Sequence, residues 1–376
     1  MSNHCWAQSR REFLSTIPLS LLACAKTNSA PVQLQIPYVD GLCLNVPDTK
    51  AEDIAASGLT ALIADVSAVS PLKTADGSSK YTRSFDACTN SINQATIKLH
   101  DHKTAFIATK GSDIATARKT KRTAVFLQFQ GCEPLGEDLS RIDFFYERRL
   151  RILQITHHNN NAFGGGCIEK QWSGLTKLGI AAVEKMNAVG MIPDLSHASH
   201  LTALEVLKAS KKPVILSHGA CRALVNNARC APDEVIRGIA DSGGAMGIFM
   251  MSFWLTNDPT PTIDALIAQL RHVINVGGID TAAIANDYDI GGEANLVKLN
   301  NDNAKGIKGY LMWWQQCAKE GILGFDKEPS HVVIPELNHL RRMFTIHAAL
   351  EKHKFKPAEI EKIMGGNWIR VLTESL

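Results

Sequence analysis

Eight short runs of aliphatic and β-branched residues recur between residues 35 and 288, each parted from the next by residues that include a stretch of helical spacing. The runs are 35–44, 59–66, 124–130, 152–157, 191–197, 214–218, 245–251 and 282–288. Amphipathic segments between them include 48–57, 84–100, 138–149, 175–189, 201–209, 232–241 and 262–276. Their ends carry what helix termini need. Ser199 precedes 201–209, Asp233 and Glu234 follow Pro232 in a first turn where acids suit the helix dipole, and Gly190, Gly243 and Gly277-Gly278 stand where helices stop. Alternation of this kind over about 250 residues predicts parallel strands with helical crossovers, and eight strands fit a (β/α)8 TIM barrel. A doubly wound open sheet is the rival, weakened because no G-x-G-x-x-G follows the first run. Beyond 289 the pattern changes. Residues 291–306 are polar and loop-like, 335–354 read as a long helix, and 356–372 as another, interrupted at Gly365-Gly366. One barrel domain over 31–376, with extra C-terminal helices, is expected.

The first thirty residues read as an address. Ser9-Arg10-Arg11-Glu12-Phe13-Leu14 opens a weakly charged apolar stretch over 13–25, the order of a twin-arginine export signal. Leu21-Leu22-Ala23-Cys24 looks like a lipoprotein processing site, which would anchor the chain to a membrane through lipidated Cys24. Cleavage after Asn28-Ser29-Ala30 is the rival, and a buried amphipathic helix the plain alternative. An exported bacterial protein, periplasmic or membrane-anchored, is expected. Export permits disulfides. Nine cysteines are present, and without Cys5 and Cys24 seven remain, an odd number with no C-x-x-C pair, so their pairing stays open.

Charge removes one class of partner. Lys+Arg 40 against Asp+Glu 37 leaves +3, with no basic stripe interleaved with aromatics, so no nucleic acid is expected. Hydrophobic residues at 45% suffice for a sizeable core. No apolar run reaches the roughly 18–20 residues of a spanning helix.

In a barrel, chemistry sits at the C-terminal strand ends. There stand Thr156-His157-His158, Asp194-Leu195-Ser196-His197, Ser217-His218-Gly219 and Asn286-Asp287-Tyr288-Asp289. Imidazoles ending three strands and a carboxylate ending the eighth can meet at one mouth. Neutral imidazole binds a divalent ion, and a carboxylate handles the water proton, as in metal-assisted hydrolases. Thirteen histidines will place some at strand ends by chance, but Leu-Ser-His at two of them is harder to reach that way. His158, His200 and His272 are read as solvated or capping, and His331, His339, His347 and His353 as facing solvent. Trp313-Trp314 and Phe253-Trp254 are read as core or rim packing. Asn159-Asn160-Asn161 before Gly164-Gly165-Gly166 suggests a mobile loop near the mouth.

The segments Leu153-Gln154-Ile155-Thr156-His157, Asp194-Leu195-Ser196-His197, Pro213-Val214-Ile215-Leu216-Ser217-His218, Asn286-Asp287-Tyr288-Asp289 and Gly365-Gly366-Asn367-Trp368-Ile369-Arg370 together resemble the membrane (renal-type) dipeptidase family. The likeness runs from about residue 36 to 374. It implies a metallohydrolase barrel with two bridged zinc ions that cleaves dipeptides of broad side-chain range, often as a homodimer. It further implies that His197 and His218 bind one zinc and that His157 helps hold the scissile carbonyl and its oxyanion. Arg229 would pair with the dipeptide carboxylate, a task suited to a guanidinium fork. Asp287 would take part in proton transfer and contact the substrate amine, and Arg222 would be structural.

The other half of the family site is missing. Where the family has Asp-Gly-His-x-Asp, this chain has Asp40-Gly41-Leu42-Cys43-Leu44, and Gln130-Gly131-Cys132-Glu133 replaces Glu-Gly-Gly-His. Leu42, Leu44 and Gln130 thus stand at three metal-ligand positions, removing one imidazole and two negative charges. Cys43 would point away from the leucines, because strand side chains alternate, and Glu133 is the one candidate replacement ligand. Two zinc ions carry +4, and uncompensated charge in a low dielectric is costly. At most one zinc ion is therefore expected. Two functions follow: a hydrolase using one metal on His197 and His218 with Asp287, or a catalytically silent relative that binds dipeptides or serves as a scaffold. A different amide or lactone is a third possibility for the single-metal form.

Overall fold

The protein is described by a computed structural model covering residues 36–73 and 79–376. The export segment expected at 1–30, with Cys5 and Cys24, lies outside them. All eight runs contain strands. They are β1 (Tyr38–Leu44), β2 (Leu59–Asp65), β3 (Thr123–Phe129), β4 (Leu150–Gln154), β5 (Ile192–Asp194), β6 (Leu216–Gly219), β7 (Met246–Ile248) and β8 (Ala282–Ile284). One parallel ladder joins β1 through β5 and another joins β6 through β8. An Asp194–Ile215 bridge links β5 to β6. After β8 the chain continues into Tyr288–Asp289, which pairs with Cys43 and Leu44 of β1. The ring closes as a (β/α)8 barrel, and the open-sheet rival falls with that closure.

Crossover helices form where helical spacing coincides with capping side chains. Ser84, Thr176 and Ser199 each accept a hydrogen bond from a first-turn amide, so Phe85–His100, Lys177–Val189 and His200–Ala209 start where sequence places them. Elsewhere the structure departs from expectation. Residues 291–306 contain helices Ala294–Lys298 and Asn303–Gly306, capped by Glu293 and Asp302. The long helix expected at 335–354 is a 3-10 turn, Pro335–Leu337, then a helix, Arg342–Lys352. Asn338 breaks it, because its side chain bonds Glu293 N and Asn301 Oδ1 instead of lying on a helix face. His331 is buried against Ser252 Oγ at 2.7 Å, not solvated, and His339, His347 and His353 are half-buried. The seven cysteines from Cys43 to Cys317 are buried and free. Among the described residues no helix is long and apolar enough to cross a membrane.

The barrel is built in layers. Ile63, Phe126, Ile192 and Ile215 belong to one buried apolar cluster with Leu42 and Trp368. Two residues further along each strand, on the same face, come the polar Asp65, Gln128, Asp194 and Ser217. Trp368 is fully buried and donates its indole N–H to Ile284 O at 2.9 Å. Gly41 and Gly247 make room for it: a Cβ would fall 2.5 and 3.0 Å from its ring. Trp368→Ala is expected to cost about 3–5 kcal/mol, read as a lower midpoint of chemical denaturation.

Candidate functional site

Strand ends bring the expected side chains to one mouth. His157 and His158 follow β4, His197 follows β5, His218 lies in β6, and Asp287 follows β8. His158, His197 and Asp287 have φ of 61°, 63° and 63°, conformations that cost a non-glycine residue about 1 kcal/mol or more. Strand alternation is broken just where these side chains must converge. His157 stacks on His197, with centroids 4.2 Å apart and planes 24° apart, and His158 lies 4.4 Å from both rings. His197 Nε2 is 2.8 Å from His218 Nε2. His158, read as solvated or capping, thus belongs to a cluster of four imidazoles.

Burial, reinforced by the Arg229 charge, pushes the imidazole pKa values down, well below the usual range for His157, His197 and His218 and to about 3 for His158. All four are neutral at pH 7. Behind them lies an anchor that sequence reading passed over. Asp194 Oδ1 accepts from Ser196 N, Ser196 Oγ and Ser217 N, and Oδ2 accepts from Gln128 Nε2 and Ser217 Oγ. With its proton given to Asp194, Ser217 Oγ can accept from His218 Nδ1 at 2.8 Å, which leaves His218 Nε2 as the free nitrogen facing His197. The signal was present in Asp-Leu-Ser-His and Leu-Ser-His, whose serines and aspartate bond to one another.

A cavity of about 330 Å3 opens above the cluster. Gln130, His157, His158, His197 and Asp287 form its polar side. Leu44, Met251, Phe253, Trp254, Tyr310 and Trp313 complete its lining; Phe253, Trp254 and Trp314 are buried, as packing residues should be, and Trp313 is half-buried at the opening. Asp287 Oδ1 is 3.8 Å from His218 Nε2. Burial, above all, pushes Asp287 up to about 7, with Arg229 pulling the other way. Arg229 does not line this cavity. It lies behind His197, against a second space of about 20 Å3, and donates to His218 O at 3.1 Å, with Nη2 3.2 Å from His197 Nε2. Its guanidinium sits over Phe249 and Trp254, and its buried Nε has no partner.

The three ligand positions that sequence marks as lost lie around this mouth. Leu44 and Gln130 are on the cavity wall with His197 and Asp287. Leu42 is fully buried in the apolar cluster, and its carbonyl accepts from Asp287 N at 2.9 Å. Gln130 Nε2 donates to Asp65 Oδ2 at 3.0 Å, while Asp65 Oδ1 takes both donors of Ser67. Glu133 does not line the cavity; it is half-buried beside Gly131, and its Oε2 has no hydrogen-bond partner.

A family model described as membrane dipeptidase (peptidase family M19) matches residues 50–304. The chain belongs to the membrane dipeptidase family. It is 29% identical over 274 residues to dipeptidase tcpJ of Claviceps purpurea, covering 71% of this chain and 55% of that one. It is 29% identical over 187 residues to dipeptidase verJ of Clonostachys rogersoniana, covering 49% and 47%. The matches thus span about half the length of these curated relatives. An amidohydrolase structure from Pseudomonas aeruginosa superposes with a TM-score of 0.74 at 25% identity, covering 91% of this chain and 97% of that one. A Rhodobacter sphaeroides metallopeptidase liganded with a phosphinate mimic of L-Ala-D-Ala has a TM-score of 0.71 at 15% identity, covering 91% and 99%.

Membrane dipeptidases are metallopeptidases, so the donor set must be asked whether it suits zinc. At the three positions where the family resemblance implies ligands to a second ion, the side chains are two leucines and an amide, which offer zinc no charged oxygen and no imidazole. At the other half, nitrogens sharing one tetrahedral zinc sit about 3.3 Å apart, whereas His197 and His218 are at hydrogen-bond distance, with a guanidinium on the same His197 nitrogen. Among the described residues, the one trio with ligand atoms mutually within 4.8 Å is His157, His158 and His197. These residues, as arranged, do not fit a metal centre of the family type.

Two outcomes follow for the metal-free protein. Below pH 6.5 the unfolded chain takes up protons that the four clustered imidazoles refuse, so stability falls on acidification, by up to about 1.4 kcal/mol per pH unit for each. His158→Gln should flatten that dependence by about one proton in denaturation midpoints measured from pH 5 to 8; an unchanged slope would mean that His158 titrates normally. Gln130→Glu places a second carboxylate against Asp65, whose pKa burial already raises, and should cost about 1–3 kcal/mol at pH 7, with recovery on acidification as one of the pair protonates above the usual carboxylate range.

Proposed function

We propose that this protein is a dipeptide-binding member of the family in which the two-zinc hydrolytic centre does not assemble. One observation carries the reading. Leu44 and Gln130 share the cavity wall with His197 and Asp287, and the Asp65 carboxylate beside Gln130 is engaged by Ser67 and by Gln130 itself. What persists is suited to recognition. Asp287, once ionised, can hold a ligand amine, and a neutral His157 can donate to a peptide carbonyl. Arg229 is a buried cation that donates to the His218 carbonyl and lies over ring faces, with one N–H unused, which favours capture of a carboxylate. A carboxylate reaching it must displace its contact to His197. The twin-arginine-like segment supports ligand capture outside the cytoplasm, in the periplasm or at a membrane through Cys24.

Hydrolysis at a single zinc is the second reading, favoured by the closeness of His197, His218 and Asp287. It requires Arg229 to leave His197. The purified full chain should contain at most one equivalent of zinc and should bind simple dipeptides in calorimetry without turning them over when zinc is added. Arg229→Met should weaken that binding by about ten- to a hundredfold, the worth of a charged hydrogen bond. Two tightly held zinc ions would overturn the proposal, and turnover abolished by His218→Ala would establish the second reading. In the Leu42→His, Leu44→Asp, Gln130→Glu triple variant, zinc content should rise.

A further inference from the structure

The cavity lining is mostly apolar, and its aromatic part has a definite shape. We propose that it selects ligands bearing a flat, apolar side chain, aromatic residues above all, seated in the corner between Trp313 and Trp254. This selectivity rests on the reading of the cavity as a dipeptide receptor. Trp313, on the helix Lys308–Glu320, is half-buried, and its ring is held edge-on to Phe325 at 5.3 Å and 88°. It lies nearly parallel to the His158 ring, 5.6 Å away and 21° apart. Trp254, in the turn Ser252–Trp254, stands at 87° to Trp313 with centroids 6.3 Å apart. Phe249 at 5.4 Å and Phe253 at 4.6 Å clamp it from two directions.

Two fixed rings at right angles form a corner into which a third can fit. A flat ring there stacks on one and meets the edge of the other, and both arrangements are preferred between aromatic groups. Leu44 and Met251 continue the wall as hydrocarbon. A polar side chain entering this corner would shed water without gaining a partner. Leu44 is central to the argument. At that position the family places a metal-binding aspartate, so the replacement that removes a ligand also turns a charged wall apolar. The cavity, about 330 Å3, is at the small end of ligand pockets, roughly 300–1,000 Å3. An aromatic side chain buries roughly 150–250 Å2, enough for at least about a tenfold preference over alanine.

The test is calorimetric binding of Ala-Ala, Ala-Phe, Phe-Ala and Ala-Asp to the full chain, to Trp313→Ala and to Trp313→Phe. At least one phenylalanine dipeptide should bind about tenfold or more tightly than Ala-Ala, and Ala-Asp more weakly than either. Trp313→Ala should collapse the phenylalanine-to-alanine ratio towards one, and Trp313→Phe should restore most of it. Should Trp313→Ala fail to fold, the retained ratio in Trp313→Phe, against loss of it in Trp313→Leu, decides the matter. Equal affinities across the panel, or a ratio that survives loss of the ring, would overturn the selectivity while leaving dipeptide binding in place. If no dipeptide binds, the receptor reading falls and the selectivity with it.

Discussion

The mouth of this barrel depends on one buried carboxylate. Asp194 sits at the end of β5, fully enclosed, with five donors from Gln128, Ser196 and Ser217 shared between its two oxygens. Such a group is tolerable only when its lone pairs are met, and leaving one unmet costs more than a single bond gains. Satisfying it ties β3, β5 and β6 together across the barrel interior. Ser217 then presents its oxygen to His218 Nδ1, so the orientation of His218, and through it the approach of His197, follows from a residue that never reaches the cavity.

Charge explains why the leucines form a coherent set. Two bound zinc ions need several carboxylates nearby, and a chain that gives up the metals gains by giving up the carboxylates too, because unpaired negative charge in that cavity would be expensive. Leu42 has joined the barrel core, Leu44 the cavity wall, and Gln130 uses its amide to satisfy Asp65. Each of these side chains has a role in the fold that needs no metal, which fits the receptor reading proposed above.

Much of this was legible in the sequence, and the limits have physical causes. All eight strands could be read because each is a dense aliphatic run, and three helix starts because Ser84, Thr176 and Ser199 cap them. The mouth residues were legible because a barrel delivers strand ends to one place, whatever the side chains. Depth and neighbours were not. His331 looks like any polar residue in a helical region, and only the fold buries it against Ser252. His158 adjoins His157, so alternation predicts that it should face away, but its φ of 61° turns it into the cluster. Trp313 and Trp314 are indistinguishable in sequence, yet one lines the cavity and the other the core, since helical rotation separates neighbours by about 100°.

The position of Arg229 bears on the remaining half-site more strongly than any missing ligand. Its Nη2 is 3.2 Å from the His197 nitrogen that would hold zinc. At a separation of about 5 Å and an effective dielectric of about 20, a divalent ion and a guanidinium repel by on the order of 6 kcal/mol. That is more than a typical domain can absorb at one site without compensation. In a two-metal enzyme, bridging and terminal carboxylates supply the compensation. Here Asp287 lies 3.8 Å from His218 Nε2, and burial pushes its pKa up to about 7, so it is a weaker source of compensating charge than an ordinary carboxylate. A ligand carboxylate at Arg229 would neutralise the guanidinium and free the His197 nitrogen in the same step. On the proposed reading, a cation at the two imidazoles would then be accepted more readily with a peptide bound than without, and by linkage the peptide would gain equally from the cation.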